Sequence, residues 1–297
     1  MTPSASGYRG RFAPSPTGPL HFGSLVAAMA SYLDARAHRG DWLVRMEDVD
    51  ETRTVPGAAD HILRTLDAFG FQWQGQVLVQ SHRKTLYSDV IAELRLERLA
   101  FDCGCSRAEI SASARQGPEG PIYPGTCRDR LPAGKRARSV RLRVTNQAIG
   151  FNDRIAGPQH QDLAAELGDF VIRRADGYTA YQLAVVVDDA EQAITQVVRG
   201  ADLLRSTPRQ IYLQGLLGLP TPGYAHVPLV LGPDRRKLSK QDRAHPVAAE
   251  NPLPALLSGW DFLGQLPPPE PPTSINAFWQ WAIANWDIDR VARPAEP

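Results

Sequence analysis

The sequence predicts an α/β fold built on a parallel sheet, because strand and helix patterns alternate from its start. Residues 8–13 form a short strand pattern, and the loop that follows is rich in proline and glycine, which exclude regular structure. Apolar residues then recur at helical spacing until Gly40, where the first helix is expected to stop. A second strand pattern over 41–47 and a second helical pattern over 58–70 complete a βαβα unit.

The first helix is expected to begin at Ser24, whose hydroxyl group can cap an N-terminus. Its apolar positions are Leu25, Val26, Met29, Leu33 and Ala37. Over 41–47, Trp42, Val44 and Met46 alternate with Leu43, Arg45 and Glu47. This period of two is that of a strand. A strand, a loop and a helix in this order are typical of the opening of a nucleotide-binding unit.

The second half of the chain contains three further kinds of element. The apolar run 183–187 (LAVVV) is followed by two aspartates and predicts a strand buried on both faces, where the sheet resumes. Another apolar stretch, 227–231, precedes a basic loop over 234–240. Helical patterns over 251–262 and 275–286 follow, separated by a proline-rich segment that is expected to act as a stiff spacer.

The composition limits the classes of function. The 297 residues are 43% hydrophobic, which is enough to bury a sizeable core. The 33 basic side chains balance 32 acidic ones, so RNA contact would need a local patch such as 135–143, which is equally consistent with a solvated basic surface. No run approaches the roughly 18 to 20 apolar residues of a membrane span, and residues 1–6 lack the apolar core of a signal peptide. We therefore expect a cytoplasmic protein.

Residues 101–170 differ in character and are interpreted as an insertion. They hold every cysteine of the chain, namely Cys103, Cys105 and Cys127. An odd number of cysteines argues against a disulfide framework, whereas thiolates in an irregular stretch suit a tetrahedral zinc ion. Three thiolates leave one ligand open, for which residue chemistry favours Asp102, Asp129 or Glu119. The alternative is three reduced thiols that lie close together without a metal.

Two distant segments predict ATP chemistry. The loop 14–24 (PSPTGPLHFGS) places His21 and Gly23 just before a helix, where backbone N–H groups and the helix dipole favour phosphate and a glycine permits close approach. Alone, His-x-Gly is more often a surface turn. The basic segment 237–240 (KLSK) offers ammonium groups for triphosphate charge, although such a cluster alone is usually a solvated loop. Together they predict a site that binds the triphosphate of ATP.

In this order the two segments resemble the HIGH and KMSKS signatures of class I aminoacyl-tRNA synthetases. Four segments resemble the glutamyl branch of that family more narrowly: 11–18 (RFAPSPTG), 45–50 (RMEDVD), 198–202 (VRGAD) and 207–210 (TPRQ). The resemblance runs from about residue 8 to residue 241. Ser24 stands where the first signature has its second histidine, and Leu238 and Gln241 stand where the second has Met and Ser.

The resemblance implies a Rossmann-type catalytic domain with a parallel sheet. Its first half is expected at 1–100 and its second half at 171–235. The zinc-containing insertion is expected at 101–170. The KLSK loop and a small α-helical C-terminal region are expected at 236–297.

The resemblance also implies the reaction and its residues. In this family the carboxylate of an amino acid attacks the α-phosphorus of ATP, which enters with Mg²⁺, and gives an aminoacyl adenylate and pyrophosphate. His21 and Lys240 would stabilise the transition state with help from Lys237. The residues expected to contact ATP are His21, Gly23, Ser24 and Lys240.

The glutamyl branch implies a set of residues that bind the amino acid. They are Arg11, Phe12, Ala13, Pro14, Ser15, Glu47, Tyr181 and Arg199. Arg11 and Arg199 would hold the side-chain carboxylate of glutamate, since arginine suits planar carboxylates, and Glu47 would hold its ammonium group. Tyr181, expected at the start of the 183–187 strand, would donate a hydrogen bond, and core packing is its alternative role.

The insertion resembles that of a small branch of the glutamyl enzymes. Members of this branch bind one zinc ion through Cys-x-Cys, a tyrosine and a further cysteine. The matching residues in this sequence are Cys103, Cys105, Tyr123 and Cys127. Four protein ligands leave no open position, so a structural role is expected.

The expected acceptor is a modified base. The chain ends at residue 297, so 57 residues follow Lys240, too few for an anticodon-binding domain. The small branch lacks that domain, activates L-glutamate without tRNA and transfers it to queuosine in the anticodon loop of tRNA(Asp). We expect those partners, no membrane and a monomer. The alternatives are a truncated glutamyl-tRNA synthetase that charges an acceptor end and a silent tRNA-binding paralogue. The silent paralogue is disfavoured by the retention of Arg11, His21, Glu47, Arg199 and Lys240.

Overall fold

Residues 9–96 form a parallel sheet with helices packed against it. The structure is a computed structural model that describes residues 7–231 and 246–295. In chain order its first elements are β1 (Arg9–Phe12), α1 (Phe22–Ala37), β2 (Asp41–Met46), α2 (Ala58–Ala68), β3 (Leu78–Val79), a 3-10 helix (Gln80–Arg83) and α3 (Lys84–Leu96). The strands are parallel in the order β1-β2-β3, with Arg11 opposite Leu43. The predicted βαβα unit is confirmed.

The start of α1 differs from the prediction. The cap is His21, not Ser24, and its Nδ1 accepts the backbone N–H of Ser24 at 3.3 Å. The Ser24 hydroxyl oxygen also lies 3.0 Å from Nε2 of the same ring. An imidazole nitrogen can accept an N–H group as the usual capping oxygens do, so the helix begins three residues earlier than a cap at Ser24 would allow.

The next elements belong largely to the predicted insertion. They are β4 (Ala100–Cys103), α4 (Arg107–Ser113), β5 (Gln116–Gly117), β6 (Gly120–Pro121), β7 (Ser139–Leu142), β8 (Ala148–Asp153), β9 (Gly157–Asp162), α5 (Leu163–Glu166) and β10 (Val171–Arg173). Strands β10, β7 and β4 form an antiparallel sheet in that order, and β5 pairs with β6 as a short hairpin. The insertion therefore has a sheet of its own.

The strand predicted over 183–187 is wrong, because these residues lie in helix α6 (Tyr181–Glu191). Every side chain from Leu183 to Asp189 is buried, since α6 packs against α3, β10 and the following helix, α7 (Thr207–Leu216). A short apolar run does not distinguish a buried helix from a buried strand. Tyr181 is consequently the first residue of a helix and not of a strand.

The second parallel pair lies beside the first sheet. Strand β11 (Gln196–Gly200) is followed by a 3-10 helix (Ala201–Ser206), α7 and β12 (Gly223–Val227). Strands β11 and β12 are parallel, and β8 and β9 extend this sheet in the order β11-β12-β8-β9. The N–H of Thr195 donates to the carbonyl oxygen of Arg9 at 2.9 Å, so β11 begins next to β1 and the strand ends of both sheets meet.

The predicted C-terminal helices are confirmed as α8 (Pro252–Phe262) and α9 (Ile275–Ala284), followed by a short 3-10 helix (Ile288–Arg290). Both pack on α1. Gly259 lies so close to Met29 that a Cβ atom there would be 2.5 Å from the sulfur, and Trp279 donates its indole N–H to the carbonyl oxygen of Phe69 at 2.9 Å. In the described ranges, no helix is both long and apolar enough to cross a membrane.

Candidate active site

A cavity of about 410 Å³ lies where the carboxyl ends of β1, β2, β11 and β12 meet the N-terminus of α1. Clefts at this edge of a parallel sheet are the usual ligand sites of α/β proteins. The cavity brings together eleven residues that the sequence nominated: Arg11, Phe12, Ala13, Pro14, Ser15, His21, Gly23, Ser24, Glu47, Tyr181 and Arg199. Lys237 and Lys240 lie outside the described residues.

The segments on either side of the KLSK loop both reach this cavity. Val230 lines it. On the other side, Pro246 forms a β-bridge with His21, and the N–H of Val247 donates to the carbonyl oxygen of Leu20 at 3.0 Å. The chain therefore leaves and re-enters the described structure next to the start of α1.

The cavity also contains residues that the sequence did not nominate. They are Thr17, Ala27, Arg53, Val198, Gly200, Asp202, Leu203, Val227, Pro228, Leu229 and Val230. Asp202 belongs to the segment 198–202 that carries the family resemblance, so that segment was the available signal. Arg53 pairs with Asp50 at 2.8 Å on the exposed side, and nothing local in the sequence marked it.

Four charged side chains form a buried network below the cavity. The carboxylate of Asp189 accepts hydrogen bonds from Nε of Arg11 at 3.1 Å and from a terminal nitrogen of Arg45 at 2.7 Å. The same nitrogen of Arg45 donates to Glu47 at 3.3 Å. Arg45 has no exposed surface. Two guanidinium groups thus face two carboxylates, which is the condition under which charges are tolerated in a protein interior.

The two carboxyl groups of this network differ in acidity. Burial raises the pKa of Glu47, and the attraction of Arg45 and Arg11 only partly offsets it. Burial also opposes ionisation of Asp189, but Arg11 and Arg45 outweigh it and hold the pKa of that carboxyl below its ordinary value. Asp189 is therefore the fixed anion of the network, while Glu47 is the one that gains most from a further cation.

Arg199 is held at several points of its guanidinium group. Its Nε donates to Nε2 of His226 at 3.0 Å, one terminal nitrogen donates to the hydroxyl of Thr207 at 2.8 Å, and the other lies 3.3 Å from the hydroxyl oxygen of Tyr181. Among residues 7–231 and 246–295, no carboxylate forms a salt bridge with Arg199. The cavity wall therefore carries a positive charge that lacks a carboxylate partner in the described part of the chain.

The N-terminus of α1 supplies a second polar region. His21 and Gly23 line the cavity together, and a Cβ atom at position 23 would lie 3.2 Å from two atoms of the His21 ring and 3.7 Å from Cβ of Val230. The space next to the histidine is thus kept open by the absence of a side chain. A helix N-terminus with an open approach is a suitable place for phosphate.

The three cysteines form one cluster in the insertion. Their sulfur atoms all lie within 4.8 Å of one another, and those of Cys105 and Cys127 are 3.6 Å apart. Zinc bound tetrahedrally at about 2.3 Å from each sulfur requires sulfur separations of about 3.8 Å. The donor set therefore fits a zinc ion.

An oxygen atom lies next to the three thiols. The hydroxyl oxygen of Tyr123 lies 3.4 Å from the sulfur of Cys103 and accepts the N–H of Cys127 at 2.8 Å. The acidic residues that residue chemistry favoured are engaged elsewhere: Asp102 with Arg95, Glu119 with Arg209, and Asp129 on the exposed surface. Among these four candidates in the described structure, Tyr123 is the one with a recorded contact to a thiol.

Residues 8–263 match the family model described as tRNA synthetases class I (E and Q), catalytic domain. The chain belongs to this family. It is 54% identical over 291 residues to a Glutamyl-Q tRNA(Asp) synthetase of Aromatoleum aromaticum, which covers 98% of this chain and 92% of that relative. It is 56% identical over 291 residues to a Glutamyl-Q tRNA(Asp) synthetase of Dechloromonas aromatica, with 97% of each chain covered.

Solved structures agree with the family. The fold resembles that of the glutamate-tRNA synthetase from Elizabethkingia anophelis, with a TM-score of 0.79 and 25% identity over 97% of this chain and 68% of that chain. The protein is a ligase with the catalytic fold of class I tRNA synthetases. The predicted α/β fold with a parallel sheet is confirmed, and the roles of the individual site residues stay predictions.

Proposed function

We propose that the enzyme activates L-glutamate with ATP in the absence of tRNA and transfers the glutamyl group to the queuosine base of tRNA(Asp). The observation that carries this proposal is the charge of the cavity. Arg199 has no carboxylate partner in the described ranges, whereas the positive charge of Arg11 is shared with Asp189. A ligand with its own side-chain carboxylate supplies the missing partner, and the relatives bear the name of the same activity.

The side-chain carboxylate and the ammonium group of glutamate each have a counterpart in the cavity, while the α-carboxylate is the reacting group. Arg199 and Arg11 bind the side-chain carboxylate, and Glu47 binds the ammonium group. The hydroxyls of Tyr181 and Ser15, with the backbone of 12–14, complete the pocket. Burial disfavours the ionised form of Glu47, and the ammonium group of the substrate favours it. Substrate and site therefore stabilise each other.

In the first step an oxygen of the α-carboxylate attacks the α-phosphorus of ATP. A carboxylate O–P bond forms, the bond to the bridging oxygen breaks, and pyrophosphate leaves with its magnesium. His21, assisted by the N-terminus of α1, stabilises the charge that develops at phosphorus, and Gly23 leaves room for the adenosine. Lys240 and Lys237 are assigned to the departing pyrophosphate by resemblance. Such reactions are accelerated chiefly by alignment and charge stabilisation.

In the second step a hydroxyl of the cyclopentenediol of queuosine attacks the carbonyl carbon of glutamyl-adenylate. An ester bond forms, the bond between the carbonyl carbon and the phosphate oxygen breaks, and the hydroxyl proton passes to the phosphate of the departing AMP. The base reaches the cavity from an anticodon loop, because single-stranded loops present their bases to proteins readily. We place this reaction in the cytoplasm and assign it to a monomer.

One zinc ion is proposed to hold the insertion together through Cys103, Cys105, Tyr123 and Cys127. The clustering of the three sulfur atoms within 4.8 Å of one another, with those of Cys105 and Cys127 3.6 Å apart, supports this proposal. When bound, the ion would link β4 to the irregular segment that carries Cys127. With four protein ligands the ion would have no open coordination position, which is typical of a structural site.

Two assays test the proposed function. Exchange of labelled pyrophosphate into ATP should require glutamate and no tRNA. Labelled glutamate should then enter tRNA(Asp) that contains queuosine and not the same tRNA(Asp) with guanosine at that position. The label should be released by mild alkali, since the product is an ester.

The other outcomes are distinct. Transfer to the acceptor end of unmodified tRNA(Glu) would replace the proposal with a truncated glutamyl-tRNA synthetase. Failure of exchange with every amino acid, together with retained binding of tRNA, would replace it with a silent binding protein.

A further inference from the structure

His226 is buried beside the cavity and does not line it. The residue has no exposed surface and lies on β12, one position before Val227, which does line the cavity. Its Nε2 is 3.0 Å from Nε of Arg199 and 3.3 Å from the hydroxyl of Thr207. Its ring also stacks on that of Tyr224, with centroids 6.3 Å apart. The histidine thus contacts the guanidinium group of Arg199 on the side away from the cavity.

Asp153 holds the opposite edge of the imidazole. One carboxylate oxygen accepts three backbone N–H groups, from Ile155 at 3.1 Å, Ala156 at 2.8 Å and His226 at 3.1 Å. The other oxygen lies 2.6 Å from Nδ1 of His226. An anion with this many donors is fixed in position, and it needs a proton on Nδ1.

These two contacts decide the tautomer. A guanidinium group only donates hydrogen bonds, so the Nε–H of Arg199 requires a lone pair on Nε2. A carboxylate only accepts, so Asp153 requires a proton on Nδ1. Burial lowers the pKa of His226 to about 4, because the attraction of Asp153 does not fully offset the burial and the repulsion of Arg199. The ring is therefore neutral near pH 7, protonated on Nδ1 and free to accept on Nε2.

The neutral ring limits the orientations of Arg199. His226 engages Nε, and Thr207 engages one terminal nitrogen. The remaining terminal nitrogen lies beside the hydroxyl of Tyr181, which lines the cavity. One edge of the planar fork is therefore held by the protein, and the other is presented to a ligand.

We propose that His226 is a positioning residue for substrate recognition: held by Asp153, it aims the guanidinium of Arg199 at the side-chain carboxylate of the amino acid. This inference rests on the proposed glutamate specificity. Because a planar guanidinium binds a carboxylate well only when the two planes match, a small rotation of Arg199 weakens binding without altering its charge. His226 is buried and does not line the cavity, so it acts through Arg199.

Two amide variants test the contacts of Nδ1 with Asp153 and of Nε2 with Arg199 separately. His226→Asn keeps a donor near the position of Nδ1 for Asp153 and removes the acceptor for Arg199. His226→Gln can place an amide oxygen near the position of Nε2. In pyrophosphate exchange, H226N should raise the KM for glutamate by at least about tenfold and leave the KM for ATP within about twofold. H226Q should retain most of the affinity for glutamate.

Equal effects of the two variants, or a glutamate KM in H226N equal to that of the wild type, would overturn the inference. Wild-type protein that exchanges no amino acid would overturn the proposed function instead.

A second measurement needs neither activity nor a variant that folds well. In ¹⁵N–¹H spectra of the wild-type protein near pH 7, the buried histidine should show a protonated Nδ1 and an unprotonated Nε2. A proton on Nε2 would contradict the inference, since Arg199 would then have no acceptor.

Discussion

Arg11 and Asp189 form a two-point ion pair at the base of the cavity, with Nε 3.1 Å from one carboxylate oxygen and a terminal nitrogen 3.3 Å from the other. Arg45 donates to the same carboxylate at 2.7 Å. Asp189, on α6, therefore links arginines of β1 and β2. Through this one carboxylate, α6 fixes the positions of the two arginine side chains at the base of the cavity.

The first prediction concerns this carboxylate. Asp189→Asn leaves two buried guanidinium groups with Glu47 as their nearest acid, and removal of one partner from a buried ion pair typically costs about 3 to 5 kcal/mol. We expect the free energy of unfolding at pH 7, measured by urea titration, to fall by about that amount. The KM for glutamate should also rise, since Arg11 loses the group that orients it.

The same carboxylate predicts a dependence on pH. The pKa of Asp189 is lowered in the folded protein, so its stabilisation is complete above the unfolded value of about 3.9 and is lost as the pH falls towards the folded value. The wild type should therefore lose its advantage over D189N below about pH 4. Asp261→Asn, at an exposed position of α8, is the control and should change stability by less than about 0.5 kcal/mol. Parallel acid curves for the wild type and D189N would contradict the prediction.

The second prediction separates stability from activity at Glu47. Its pKa is raised by burial, so the folded state binds the proton more tightly than the unfolded state, and stability from this group falls as the pH rises above about 4.3. Glu47→Gln should therefore be as stable as the wild type at pH 7, or more stable. It should lose roughly 10- to 100-fold in kcat/KM for glutamate, because the ammonium group loses its anion.

Thermal unfolding and pyrophosphate exchange check this pair of effects. Glu93→Gln, on the exposed face of α3, is the control and should leave both quantities unchanged. A variant E47Q with normal kcat/KM for glutamate would remove Glu47 from the proposed binding set.

The sequence predicted the parts of the cavity that local motifs encode. Residues 11–24 and 198–202 each occupy one strand end or loop, so their neighbours in sequence are also their neighbours in space. The network below the cavity was not predictable in this way, because Asp189 and Arg45 are 144 positions apart. His226 gave no signal either, since a histidine within an apolar strand is more often a satisfied core residue than a functional one.

The errors have local physical causes. The run 183–187 contains three valines, which favour strands, but burial on every side makes α6 possible without amphipathic spacing. The sequence predicts Ser24 as the cap of α1 because serine is a common capping residue. In the structure His21 caps the helix through a ring nitrogen. In each case the surrounding packing overrides the intrinsic preference of the residue.

The third prediction concerns the zinc ligands. The protein should carry one zinc ion per chain, measured by elemental analysis, and Cys127→Ser should lose it. Tyr123→Phe keeps the ring and its contact with the Arg141 guanidinium, 4.0 Å from the ring centre, but removes the oxygen. Zinc affinity, measured by competition with a chelator, should fall by at least about tenfold, the loss that follows removal of even an outer partner of a ligand.

Asp129→Asn is the matched control for the fourth ligand. Its side chain is 98% exposed, and the substitution should leave zinc affinity unchanged. A drop in D129N and none in Y123F would assign the fourth position to the aspartate. Fully folded protein that never contains zinc would contradict the site as a whole.

The last prediction compares two helical glycines with different surroundings. A Cβ atom at Gly23 would meet the His21 ring at 3.2 Å, whereas one at Gly215 of α7 would meet no atom within 4 Å. Because alanine is favoured over glycine within helices by up to about 1 kcal/mol, Gly215→Ala should raise the melting temperature and leave catalysis unchanged. Gly23→Ala narrows the phosphate approach, so we expect the KM for ATP to rise at least about tenfold and glutamate binding, measured by calorimetry, to stay constant. An unchanged KM for ATP in G23A would show that the nucleotide does not approach this end of α1.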